Sequence, residues 1–196
     1  MTYWWINTVL RTTICIAGAV LAMAMASSAA GAFALDGTSH IHVSDRILKG
    51  LIERGMAGSE TFQSVVAQVD AAPIVVFVNC DLFMPTGLGG RLHFMSTVGR
   101  IRYVRVALRC TLPSSRQLSM LAHELQHALE IAGNPAIEDA DSMESYYEEA
   151  GFATYSDGTH RGFETDAAIA VQRRVYRELT APSRSDERNG QPASAE

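Results

Sequence analysis

An α+β domain is expected from three features of this sequence. Residues 74–78 form an unbroken β-branched and aromatic run (Ile-Val-Val-Phe-Val), residues 101–108 alternate apolar with polar, and residues 114–132 repeat apolar positions at three- and four-residue steps. Helical patterns precede the strands and others follow them. That order segregates a small sheet from its helices, unlike the strand and helix alternation of a parallel α/β fold. With 196 residues and 47% hydrophobic content, one domain can bury a core.

Taken in order, residues 1–34 carry a single charge, Arg11, an apolar run over 14–26, and small residues ending in Ala32-Phe33-Ala34. This is the order of a signal peptide with an A-x-A cleavage site, and it implies export to a periplasmic or secreted location without stable membrane insertion. An uncleaved membrane anchor is the alternative, because residues 14–35 are about long enough to span a bilayer. Residues 35–180 then form the domain, and 181–196, rich in Ser, Arg, Asp, Gly and Pro, a disordered tail. Ile47, Leu48, Leu51 and Ile52 predict a short helix over 44–55 that Gly55 closes. Ser59 caps a second helix with Phe62, Val65, Val66 and Val69 on its buried stripe. The strand at 74–78 follows, then turn residues 84–90, then a hairpin of strands 91–96 and 101–108 around Val98-Gly99. In the second strand Val104, Val106 and Leu108 face inward, with Tyr103, Arg105 and Arg109 on the other side. A long helix begins at Ser114, where Gln117 completes a capping box, and stops before Gly133 and Pro135. Residues 141–150 make a short acidic helix, 152–162 a loop, and 163–179 a last amphipathic helix.

Beyond the leader, Cys80 and Cys110 are the only cysteines, an even count suited to an oxidising compartment. A disulfide between them is expected, with two buried thiols as the alternative. The net charge of −5 and the scattered arginines argue against a nucleic-acid partner, and Gly87-Leu88-Gly89-Gly90 lacks the lysine of a phosphate-binding loop.

The long helix contains His123-Glu124-Leu125-Gln126-His127, an HExxH pattern. Histidines four residues apart share a helix face and offer two ligands of an open zinc site, with Glu124 placed to take a proton from water. Leu118, Leu121, Ala122, Leu125, Ala128, Leu129 and Ala132 define the apolar stripe, which leaves His123 and His127 on the other side.

This helix after a strand hairpin resembles the zincin metallopeptidases. The extended metzincin motif is excluded, since it needs glycine and histidine where Glu130 and Gly133 stand. The resemblance is thus to gluzincins, in which a glutamate on a later helix completes a Zn²⁺ site, and it implies a peptide or protein substrate. Two readings of the third ligand compete. Spacing favours Glu148, with Glu144 one turn away; the last helix favours Glu164, which shares its inward face with Ala168, Val171, Val175 and Leu179 and wants a cation there. Small secreted bacterial proteins with an HELQHA-type helix look similar and carry a segment like Phe163-Glu164-Thr165. Glu164 is the expected ligand, with an aspartate such as Asp139, or no third protein ligand, as further alternatives. The expected chemistry is zinc-dependent hydrolysis with Glu124 as general base, and a non-catalytic exported domain with a structural metal is its rival. Tyr155 and His160 are candidate oxyanion donors, and the strand over 101–108 a candidate edge for an extended peptide.

Overall fold

Residues 39–156 and 161–181 are described by the computed structural model of the chain. The expected signal peptide, the tail from residue 182 and His160 lie outside the described residues. The first element, β1 (Ile41–Val43), is one the periodicity does not reveal, because three residues are too few to show a period of two. Its start is pinned where Asp70 Oδ1 accepts the His40 N–H at 2.8 Å. Helix α1 (Arg46–Gly58) follows its cap Asp45, and α2 (Glu60–Ala71) follows Ser59, whose hydroxyl accepts the Phe62 N–H as expected. Gly55 does not close α1. It lies inside the helix where an added Cβ would come within 2.6 Å of Leu118, so its role is close approach and not termination.

Strands β2 (Ile74–Cys80), β3 (Gly90–Val98) and β4 (Ile101–Leu108) complete a four-stranded sheet in the order β1-β2-β4-β3. β2 runs parallel to both β1 and β4, and β3 closes the sheet antiparallel to β4 through a turn in which Gly99 takes φ 62°. The expectation that β4 is an edge strand is therefore overturned. Its inward residues Val104, Val106 and Leu108 are fully buried, and a central position pairs both of its backbone edges. The edges are β1 and β3 instead.

α3 (Ser114–Gly133) carries the HExxH segment. The expected capping box is absent: Pro113 occupies the cap position, and Gln117 Nε2 donates instead to the carbonyls of Cys110 and Leu112 in the preceding turn. α4 (Ala140–Ala150) comes next. The segment read as a loop over 152–162 contains strand β5 (Phe152–Ser156), which pairs antiparallel with β6 (Arg161–Glu164). The last helix, α5 (Asp166–Thr180), accordingly starts three residues later than expected, with Thr165 as its cap.

These elements form the expected α+β fold. The core lies between one face of the sheet (Ile74, Val76, Val78, Val104, Val106, Leu108) and apolar stripes of α1, α2 and α3, while α5 adds Val175. Its other residues bind the layers by polar contacts. Glu178 near the end of α5 accepts from Ser59 and Thr61 at the start of α2, and Arg102 of β4 donates to the carbonyls of Asn134 and Ile137 beyond α3. Cys80 and Cys110 are bonded, Cα atoms 5.5 Å apart, and join the ends of β2 and β4 across 30 residues. Such a link stabilises by about 3.6 kcal/mol in the chain-entropy model. Among the described residues, no helix is long and apolar enough to cross a membrane.

Candidate metal centre

One turn of α3 separates His123 from His127, so both rings leave the same side of the helix. That side is not solvent. His123, Glu124 and His127 are only 2%, 5% and 6% exposed, because β3 and the end of β6 cover the face opposite the apolar stripe. Glu164, the last residue of β6, reaches over the histidines. Its Oε2 lies 2.7 Å from His123 Nε2 and 3.9 Å from His127 Nε2, and the two ring nitrogens are 3.1 Å apart. A four-coordinate metal with bonds of about 2.0 to 2.1 Å needs ligand atoms roughly 3.3 Å from one another, which these three separations bracket. The set His123, His127 and Glu164 could hold a metal ion.

Hydrogen bonding around the set agrees with this use. His127 Nδ1 is 2.8 Å from Glu130 Oε2, a group that only accepts, so Nδ1 keeps a proton and Nε2, on the side of Glu164, is the nitrogen left to bind a metal once its own proton is displaced. Glu130 is held in turn by the hydroxyls of Thr165 (2.7 Å) and Tyr147 (3.1 Å). One carboxylate thus fixes a histidine tautomer and ties α3 to α4 and to the start of α5. Glu164 Oε2 is buried and meets no hydroxyl or backbone donor, which leaves the two ring nitrogens as its neighbours.

Glu124 sits beside the set without joining it. The Leu92 N–H of β3 donates to its carboxylate, and a Cβ on Gly90 would come within 2.7 Å of its Oε1. Only glycine lets the edge strand pass so close. Burial raises the Glu124 pKa above the usual carboxylate value, partly opposed by the nearby His123 and His127. That direction suits a group that takes up a proton.

Glu164 reaches the site from a strand end, not from the inward stripe of the last helix. The helical argument for it is overturned, and the site departs from the later-helix glutamate of the gluzincin pattern. Glu144 and Glu148 stand exposed on α4 and are not brought to the histidines. Asp139 caps α4 by accepting from Ser142, and those bonds lower its pKa. Tyr155 lies in β5, its side chain outside the described set. Sequence reasoning missed Glu130, Thr165, Tyr147, Leu92 and Gly90. Only Glu130 left a signal, a carboxylate three residues after His127 on the same helix face.

Charge in the cluster is strongly coupled to protons. Burial opposes charge on His127, but hydrogen bonds to Glu130 and Glu164 and the charge of Glu124 outweigh it and push its pKa up to about 9. Burial likewise opposes the Glu164 carboxylate, and the two histidines prevail and lower its pKa to about 2. In metal-free protein the His127 contribution to stability is complete below 6.5 and lost as pH rises through about 9. The Glu164 contribution is present above 4.5 and lost as pH falls through about 2. A metal must displace the His127 proton. Its apparent affinity is expected to rise about tenfold per pH unit from pH 6 to about 9, with proton release measurable by calorimetry in buffers of different ionisation enthalpy. Affinity independent of pH over that range would show that His127 is not displaced.

A cleft of about 640 Å³ opens beside the set, with Glu164 in its wall. Loop residues Gly87 to Gly89, Arg109 and Leu112 after β4, residues Arg116, Ser119 and Met120 of α3, and Gln172, Arg173 and Tyr176 of α5 line the rest. No protein-family model, curated protein or solved structure matches the chain.

Proposed function

We propose that the protein is a zinc-dependent hydrolase, a peptidase of the zincin type, that works in an oxidising, exported setting to which its disulfide is suited. The observation that carries this reading is the position of Glu164. It belongs to the metal-binding set and also to the wall of a solvent-open cleft, whereas structural zinc sites are closed. His123, His127 and Glu164 would hold Zn²⁺, which as a Lewis acid would lower the pKa of water toward 7. Glu124, whose proton affinity burial has raised, would take a proton from the attacking water on its carboxylate and return it to the departing amine. The Leu92 N–H keeps this carboxylate in place through both transfers.

The same contact suggests where a peptide lies. An N–H of β3 that reaches Glu124 points away from β4, so the outer edge of β3 faces the reacting groups. An extended substrate would add there as a further strand. The rival reading gives the metal a structural role, favoured by ligands that join α3 to β6. Chelation separates the two. Removal of zinc should abolish peptide turnover while far-UV circular dichroism and the melting temperature change little, since the core between the sheet and α3 needs no metal. Loss of helix content together with zinc would assign the metal to the fold.

A further inference from the structure

The chain as a whole is acidic, with a net charge of −5, yet the cleft beside the metal centre is not. Its wall holds three guanidinium groups, Arg109, Arg116 and Arg173, against one carboxylate, Glu164, which is engaged with His123. Among the described residues no carboxylate pairs with any of the three. Arg109 is committed to the wall itself, donating to the carbonyls of Met84, Pro85 and Leu88, so it shapes the 84–88 loop and leaves its charge uncompensated. Arg116 and Arg173 are exposed on facing helices. Those helices pack on each other, and Gln172 donates to Met120 Sδ at 3.1 Å across them, both residues lining the cleft. Two guanidinium groups, one from each of the helices that line the cleft and neither paired among the described residues, suit one planar anion.

Resting on the peptidase reading, we propose that this cleft is a carboxylate-recognising subsite, with Arg116 and Arg173 as its specificity-determining residues. Helix geometry sets the distance. Arg116 precedes His123 by two turns of α3, about 10 Å along the axis. An extended peptide covers about 3.3 Å per residue, so the selected carboxylate stands about three residues from the bond that is cleaved. That span is too long for the α-carboxylate of a single released residue. It fits an Asp or Glu side chain inside the peptide, or a chain terminus three residues on.

The test uses acetylated, amidated alanine-rich decapeptides in which one Glu is moved position by position, each beside its Gln counterpart. A Glu-free peptide with a free C-terminal carboxylate is added. Relative kcat/KM is measured by competition with zinc-loaded protein, and binding of the same peptides by fluorescence anisotropy with zinc-loaded Glu124→Gln. Glu is expected to be favoured over Gln by about tenfold at positions near three residues from the cut. That preference should weaken as salt is raised from about 0.05 M to about 0.5 M and fall to about twofold or less in the Arg116→Gln/Arg173→Gln double variant. A preference for the free-carboxylate peptide instead would assign the anion to the chain terminus, with the same dependence on both arginines. Turnover with no Glu preference overturns the subsite and leaves the peptidase reading intact. Selective binding of Glu peptides that none of them follows with turnover keeps the subsite and removes the peptidase reading. Neither binding nor turnover overturns both.

Discussion

Glu124→Gln should lower peptide turnover by about 10³-fold, equivalent to about 4 kcal/mol of barrier, and leave one metal per chain. The substitution is nearly isosteric. A glutamine Oε1 still accepts the Leu92 N–H, and the close pass of Gly90 is undisturbed, so the edge of β3 keeps its place. What disappears is the ability to hold a proton beside His123 and His127. Metal content by elemental mass spectrometry and kcat on one peptide, measured on the same preparation, separate this loss from misfolding. Turnover within tenfold of the parent would remove Glu124 from the mechanism.

Loss of metal is the second large effect expected, from Glu164→Ala. Among the described residues it removes the only carboxylate whose oxygen lies within reach of both Nε2 atoms, at 2.7 and 3.9 Å. Loss of a group that merely orients a ligand costs about 10- to 100-fold in metal affinity, so loss of a ligand should cost at least about 100-fold. Glu148→Ala, an exposed change on α4, should leave affinity within about twofold. A competition titration with a chromophoric chelator reads both variants. The reverse order would move the third ligand to α4 and dissolve the link between the metal and the cleft.

Some of this site could be read directly from residues. A fixed spacing of four on one helix is a local property, so His123, Glu124 and His127 required only that residues 114–133 be helical, and the apolar repeat, with Gly133 at its end and Pro135 beyond, made them so. The inward alternation of β4 and the pairing of Cys80 with Cys110 were legible for similar reasons. Glu164 is a different case, since the residue was named on an argument that the structure overturns. Thr165 and Asp166 form a cap and an acidic first turn, a local mark that α5 begins after Glu164, and the apolar period was extended across it. The inference of an unpaired carboxylate that needs a cation survived because it concerned chemistry, not the element that carries it.

Local pattern, then, determined an α+β chain with a helix bearing two histidines and a glutamate on neighbouring positions, because helix periodicity and strand alternation act over a few residues. Tertiary structure alone decided that β3 and not β4 is the edge, that Glu130 sets the tautomer of His127 through Thr165 and Tyr147, and that three arginines share a cleft with Glu164. Each of these brings together side chains or strands far apart in the chain, and strand order and helix packing, not spacing in the sequence, place them within reach.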